Sequence, residues 1–263
     1  MPEGPEIRRA ADALADAVVG APLARVWFAF EELLPYAPLL IGQRIEAITP
    51  HGKALLTRFD NGLTMYSHNQ LYGVWRIAAA GERPRTKRSL RVALETADHA
   101  ILLYSASDVS LWPTERVHEH PFLARLGPDV LDPELDRDTV LARLSDRRFA
   151  RRRLAGLLLD QAFLAGLGNY LRAEILWQAR IAPTLRPVDL DDAQRIMLAD
   201  ALLDVPRHSY RTRGKRGRGR LQETPFRFRV YGRDNQPCPR CATPIARSEL
   251  GGRPMFTCPD CQR

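Results

Sequence analysis

Two Cys-X-X-Cys knuckles, Cys238-Pro-Arg-Cys241 and Cys258-Pro-Asp-Cys261, place all four cysteines of this 263-residue chain within its last 26 residues. A CxxC turn brings two thiolates within reach of one ion, and the 16 intervening residues suit a β-hairpin that returns the second pair to complete a tetrahedral thiolate site for zinc. Four protein ligands leave no open coordination position, so such a zinc is structural. Two disulfides are the competing reading, disfavoured in a reducing compartment. So short a segment has little core of its own and depends on the metal to fold. Within the hairpin Gly251-Gly252 marks the turn and Arg253 follows it, at the exposed tip. An arginine held there can grip a phosphate through both guanidinium nitrogens, although a surface arginine without a role is commoner.

Charge favours the phosphate. Residues 207–263 hold 14 basic and 4 acidic residues, a net of +10 that leaves residues 1–206 at −2. Such asymmetry predicts a polyanion partner, nucleic acid first among them, with a solvated basic tail as the alternative. At 45% hydrophobic and 27% charged residues the chain can bury a core, which excludes wholesale disorder. No run of 18 apolar residues exists, and Glu3 and Glu6 stand where a signal peptide would carry basic residues. A cytoplasmic protein without a membrane segment is expected.

Ile7, Ala10, Ala11, Leu14 and Val18 recur at helical spacing, with Gly20 as a stop, after the stiff entry Met1-Pro2-Glu3-Gly4-Pro5-Glu6. From residue 23 to about 107, β-branched and aromatic runs at 25–30, 54–59, 63–67, 90–94 and 101–104, separated by turns such as Asp60-Asn61-Gly62, predict an antiparallel sandwich or barrel. Residues 127–133 read as a linker. Helical periodicity returns at 139–144, 154–163, 170–178 and 191–203. Between two of these helices lies Leu164-Ala165-Gly166-Leu167-Gly168-Asn169, in which backbone amides and Asn169 at a helix start hold a phosphate, or which forms a plain helix-turn-helix corner. Residues 207–220, with seven basic residues, no acid and three glycines, predict a solvated loop.

The N-terminal PEGPE, HGK at 51–53, NQLYG at 69–73, LAGLGNYLRAEILW at 164–177 and the two knuckles together resemble, in order and along essentially the whole chain, the Fpg/Nei family of DNA glycosylases, and most closely its endonuclease VIII (Nei) branch. The resemblance implies an α+β multidomain fold: an N-terminal catalytic helix and β-sandwich domain (1–126), a helical domain with a helix-two-turn-helix element (127–225), and a β-hairpin zinc finger (226–263). It also implies a bifunctional glycosylase and abasic-site lyase. Once Met1 is removed, the secondary amine of Pro2 attacks C1′ of the damaged nucleotide, expels the base and leaves an iminium, the Schiff base typical of the family. That cation acidifies the C2′ proton and allows β-elimination of the 3′ phosphate and δ-elimination of the 5′ phosphate. By the same resemblance Glu3 is the general acid, Glu6 supports the helix start, Lys53 reaches the phosphate beside the lesion for β-elimination, and Arg253 serves δ-elimination. Without Pro2 beside them, both glutamates would read simply as dipole-compatible acids at a helix N-terminus. Asn169 grips phosphate, Arg125 contacts DNA, and Gln70-Leu71-Tyr72 fills the gap left by the extruded nucleotide, Leu71 and Tyr72 being otherwise strand-end core residues. Zinc held by Cys238, Cys241, Cys258 and Cys261 is the implied cofactor. Double-stranded DNA with oxidised bases or abasic sites is the implied partner, engaged by a monomer.

Gly4, the Gln-Leu-Tyr wedge and Arg253-Pro254 favour the branch that acts on oxidised pyrimidines over the Fpg branch that favours oxidised purines. The Arg/Gly-rich run at 211–220 falls where the family's lesion-covering loop lies, and its unusual composition broadens the expected preference. A non-catalytic zinc-ribbon DNA-binding protein is the reading from another class; Pro2-Glu3 and Lys53 speak against it, because a pure binder needs none of them. A metal-dependent nuclease ranks last, for want of a cluster of carboxylates and histidines.

Overall fold

The computed structural model describes residues 2–213 and 224–263, in two compact units. Pro2 and residues 6–125 form the first, Glu3–Pro5 and Leu126–Arg263 the second. Among the described residues no helix is long and apolar enough to cross a membrane.

Helix α1 (Gly4–Val18) buries Ile7, Ala11, Leu14 and Val18 on one stripe. Gly20, at φ +82°, then turns the chain into β1 (Arg25–Phe28). A 3-10 turn and the short α2 (Ala37–Leu40) follow. Seven further strands complete the first unit: β2 (Ile45–His51), β3 (Ala54–Phe59), β4 (Leu63–His68), β5 (Val74–Ala79), β6 (Leu90–Glu95), β7 (His99–Tyr104) and β8 (Asp108–Pro113). They pair antiparallel in two sheets, ordered β1-β6-β7-β5 and β2-β3-β4-β8. Phe28, Val92, Leu94, Ile101 and Leu103 of one sheet share a hydrophobic cluster with Ile45, Leu55, Phe59 and Met65 of the other, and with α1. This is the expected antiparallel sandwich.

The second unit contains α3 (Arg137–Ser145), α4 (Leu154–Leu157), α5 (Asn169–Gln178), α6 (Asp192–Thr212), β9 (Ala246–Glu249) and β10 (Pro254–Thr257). Side-chain caps start two of the helices: Asp136 accepts the Thr139 N–H, and Asp191 forms a reciprocal box with Gln194. One cluster runs from Val130 through α5 and α6 to Met255 and Cys258, so the hairpin shares the core of the helices.

Two expectations are corrected. The helix predicted over 154–163 ends at Leu157, because Asp160 accepts the Ala162 N–H and Gln161 donates to the Leu159 and Leu167 carbonyls, turning the chain while its apolar residues stay buried. The loop predicted over 207–220 is helical as far as Thr212. There Ser209 and Thr212 are buried, Tyr170 and Ser209 hydroxyls lie 3.0 Å apart, and Arg207 donates to the Leu135 carbonyl at 2.7 Å. Residues 214–220 lie outside the described residues.

Candidate nucleic-acid site

In the first unit, Pro2 is half-buried. Glu6 Oε1 accepts from the Arg9 guanidinium at 2.9 Å, one helical turn along. Lys53 follows Gly52 (φ +62°) in the two-residue turn joining β2 and β3, where His51 pairs with Ala54, and not within a strand; it is buried.

The strand on the far side of β3 carries the next residues. His68 ends β4, paired with Ala54 on one side and Asp108 on the other. Its ring meets Phe122 edge-on at 5.0 Å, while Tyr66, two residues back, stacks on His120 at 3.8 Å and donates its hydroxyl to Asp108 at 3.1 Å. Burial, with the charge and hydrogen bond of Asp108 acting in the same direction, pushes the Tyr66 hydroxyl upward. Burial pulls the His120 imidazole downward, against Asp108. Arg125, exposed, donates Nε to the Pro121 carbonyl at 2.9 Å.

Beyond His68 the chain makes a tight turn. Gly73 N–H donates to Asn69 O at 2.7 Å, and a Cβ on Gly73 would stand 2.6 Å from that oxygen, so only glycine fits. Gln70 adopts φ +47°, a left-handed conformation uncommon outside glycine; its amide oxygen accepts from Ser107 Oγ at 3.0 Å. Arg88 donates to the Tyr72 carbonyl. The turn thrusts Leu71 (64% exposed) and Tyr72 (70% exposed) into solvent, so neither is a strand-end core residue.

In the second unit, Glu3 is buried against the start of α5. Its two carboxylate oxygens accept the N–H groups of Tyr170 at 2.8 Å and Leu171 at 3.1 Å, a remote carboxylate doing what an N-cap side chain ordinarily does. The two glycines of the preceding turn make room for it. A Cβ on Gly168 would lie 2.3 Å from Glu3 Cδ; Gly166, at φ +96°, gives its carbonyl to the Gly4 N–H at 2.8 Å. The amides at this helix start that face a carboxylate, those of Tyr170 and Leu171, lie just beyond the 164–169 segment read as a phosphate cradle.

Asn169 donates Nδ2 to the Pro254 carbonyl at 2.9 Å and accepts from Arg172 at 2.7 Å. Arg172 is fully buried, the largest side chain so enclosed among the described residues, and reaches the carbonyls of Ala155 (2.8 Å), Leu250 (3.2 Å) and Pro254 (3.1 Å). Leu250 and Pro254 bracket the hairpin turn, in which Gly251 and Gly252 take φ +65° and +68°, Leu250 N–H donates to Arg253 O, and Arg253 is exposed. One guanidinium thus fixes both stems of the turn that presents another. Burial, reinforced by the charge of Arg253, pulls Arg172 down to about 10, still cationic near neutrality. On the same helix the buried Glu174 accepts the N–H groups of Arg229, Val230 and Tyr231 at 2.8 to 3.0 Å. Hydrophobic periodicity passes over Arg172 and Glu174; their signal is two charges on a helix whose other residues between Tyr170 and Trp177 are apolar and buried.

The four cysteine Sγ atoms lie within 4.8 Å of one another, with separations of 3.9 Å (Cys238 to Cys261) and 3.4 Å (Cys241 to Cys258 and to Cys261). Tetrahedral zinc with bonds of about 2.3 Å needs sulfurs about 3.8 Å apart. The donor set therefore fits such an ion. Around it, Trp177 Nε1 and the Arg240 N–H each point at Cys238 Sγ at 3.4 Å. Burial alone would raise this thiol, but these donors and the Cys241 amide bring it down to about 6; burial and the neighbouring thiols push Cys261 up to about 12.

Residues 1–107 match the model of the formamidopyrimidine-DNA glycosylase N-terminal domain, and residues 126–217 that family's H2TH domain. Endonuclease 8 of Escherichia coli (strain K12 / DH10B) is 56% identical over 262 residues, and Endonuclease 8 of Pectobacterium carotovorum subsp. carotovorum (strain PC1) 57% identical over 263, each covering 100% of both chains. The fold is similar to that of Lactococcus lactis Fpg (MutM) in complex with DNA containing N7-benzyl-Fapy-dG, at a TM-score of 0.84 with 24% identity and 100% of both chains covered. It is similar also to L. lactis Fpg with DNA containing an abasic site, at a TM-score of 0.83 with 23% identity over 99% of each. Matched by family models over most of its length, and by relatives more than half identical from end to end, the chain belongs to the formamidopyrimidine-DNA glycosylase family.

Proposed function

We propose that the chain excises oxidised pyrimidines from double-stranded DNA, as a monomer, through a Schiff base at Pro2, and then cleaves the strand by β,δ-elimination. Base excision joined to strand cleavage at the abasic site is the activity of its family; the lesion class and the residue roles are the proposal. One observation carries it: the residue directly after Pro2 is fixed by two backbone donors in a space that only Gly168 leaves open. A chain terminus is ordinarily the loosest part of a fold. Here the anchor at Glu3 restrains the adjoining secondary amine, which is what a nucleophile needs to meet C1′ in one geometry.

In this reading the Pro2 nitrogen, free after loss of Met1, forms the bond to C1′ as the base departs with the glycosidic electron pair. Glu3 passes a proton to the sugar ring oxygen as the ring opens, and Glu6 supports the helix start. Loss of the C2′ proton expels the 3′ phosphate, with Lys53 on the neighbouring phosphate; a second elimination expels the 5′ phosphate, with Arg253. Asn169 and Arg125 hold the backbone, and Gln70, Leu71 and Tyr72 occupy the space of the everted nucleotide. Zinc on Cys238, Cys241, Cys258 and Cys261 holds the hairpin that carries Arg253, with no part in the chemistry. A cytoplasmic, DNA-associated enzyme accords with this reading.

The test is borohydride trapping on duplexes carrying 5-hydroxyuracil or 8-oxoguanine, with the adduct mapped by mass spectrometry. A covalent adduct at Pro2, stronger with the pyrimidine, is expected. Stronger trapping with the purine overturns the pyrimidine assignment, and no adduct from a protein that binds DNA and begins at Pro2 overturns the covalent mechanism.

A further inference from the structure

The side chain of His68 bonds straight to the backbone of Gln70, the left-handed residue that opens the Leu71-Tyr72 projection: the Gln70 N–H donates to His68 Nδ1 at 3.0 Å. We propose that His68 is a positioning residue for the gap-filling turn, its Nδ1 lone pair holding Gln70 in the left-handed conformation and so keeping Leu71 and Tyr72 extended before DNA arrives. The assignment rests on the gap-filling role proposed for Gln70, Leu71 and Tyr72.

A left-handed glutamine is disfavoured by itself and persists only where its surroundings over-determine it. The surroundings do so here. Gly73 closes the turn on Asn69, Ser107 holds the Gln70 amide, Arg88 holds the Tyr72 carbonyl, and His68 accepts the Gln70 N–H. None of these bonds uses the Leu71 or Tyr72 side chain, so the projecting surface is fully available to a ligand. An ordered turn with two exposed apolar side chains is what a wedge requires, because its ordering entropy is then spent during folding rather than on binding.

An imidazole can accept at Nδ1 only when neutral, with its proton on Nε2. The groups facing His68 settle that state. Asp108 across the β4–β8 pair favours the cation, Lys53 in the β2–β3 turn disfavours it, and the Phe122 edge is neutral; Tyr66 and His120 lie one ring further off. Burial outweighs Asp108 and, with Lys53, keeps the imidazole below its usual value. The lone pair is therefore present at neutral pH and is lost only as the solution becomes acidic.

Asparagine and glutamine separate the two ring nitrogens. The asparagine oxygen stands two bonds from Cβ, as Nδ1 does, whereas the glutamine amide reaches the position of Nε2. With the full-length protein, single-turnover excision of 5-hydroxyuracil from a duplex is measured alongside the fluorescence of a 2-aminopurine next to the lesion, which reports eversion. His68→Asn is expected to evert within about threefold of wild type. His68→Gln is expected to evert about tenfold more slowly, the factor one ordinary hydrogen bond is worth. Both should cleave a preformed abasic site in single-stranded DNA normally, since no gap is filled there. Wild-type eversion should fade below the His68 pKa, and that acid limb should be missing in His68→Asn. Glutamine faster than asparagine, equal loss in both, or no loss in either overturns the assignment. Simultaneous Gln70→Ala, Leu71→Ala and Tyr72→Ala controls for the parent reading: normal eversion there removes the gap-filling role itself, whatever the His68 variants do.

Discussion

Gly168→Ala isolates the anchoring of Glu3 better than a change to Glu3 itself, because it adds one methyl group and removes no functional atom. Gly168 has φ −142°, an extended conformation open to any residue, so the backbone does not resist alanine; loss of freedom in the unfolded chain would even favour it by about 0.4–1 kcal/mol. The methyl group, however, would stand 2.3 Å from Glu3 Cδ and 2.5 Å from Cγ and Oε1. No rotation relieves three such overlaps while the carboxylate keeps both backbone donors. Displacing it forfeits two hydrogen bonds to a charged acceptor, about 1.5–3 kcal/mol each, and leaves the Tyr170 and Leu171 N–H groups unmatched. Net of the favourable entropy, destabilisation of about 3 kcal/mol is expected, or roughly 6–12 °C in Tm for a chain of this size. Base excision should fall at least about 100-fold, the usual contribution of a positioned acid. Urea unfolding and single-turnover excision read the two effects. Gly156→Ala, in α4 with nothing within 4 Å of the added Cβ, is the control and should be neutral or mildly stabilising. A Gly168→Ala protein that excises at the wild-type rate would refute the claim that Glu3 acts from this position.

Arg172→Lys should weaken binding to an abasic-site duplex about tenfold or more in Kd with metal content unchanged, because an ammonium cannot span Ala155, Asn169, Leu250 and Pro254 as the planar fork does. Cys258→Ser should release the metal, measured by a colorimetric chelator, and lower strand cleavage with it; full activity in metal-free protein would separate the hairpin from the chemistry. For Glu95, burial pushes the carboxyl up, but Arg83, the Gly81 N–H and Arg25 more than offset this and hold it below the ordinary range. Its stabilisation is thus complete above the unfolded-state value and lost as pH falls through the lowered folded value, so Glu95→Gln should cost about 1–2 kcal/mol at pH 7 and little at pH 2, by urea titration.

Elements with a buried face and ordinary caps were legible in the sequence, and those shaped by neighbours were not. Strands β3, β4, β6 and β7 lie inside their sheets, and their apolar runs stand out; β1, β2, β5 and β8 are edge strands, of which β1 alone is legible from its aromatic and β-branched run and the other three are not. Of these, β2 carries a register irregularity at Ile45/Ala47 and a proline at 50, which blur its alternation. The overlong helix at 154–163 has a different cause. Burial on all sides erases periodicity, and the stop is a side chain, Asp160, rather than a glycine or proline. Within the candidate site, the knuckles and the glycine turn of the hairpin are local and announce themselves. The partnership of Glu3 with α5 joins residues 167 apart, which no spacing rule reaches. Likewise the proton state of His68 depends on Asp108 and Lys53, brought to it by strand pairing.

That separation of 167 residues also bears on synthesis. While the ribosome is still making the first sheets, Glu3 has been translated but its two amide partners have not, so the proposed nucleophile trails from an untethered end. Only after residues 169–171 clear the exit tunnel and α5 forms can the beginning of the polypeptide be secured. A nascent chain should therefore hold that amine in no fixed geometry toward a damaged nucleotide until about two thirds of it has emerged, and the placement proposed for catalysis would be among the last features of the fold to form.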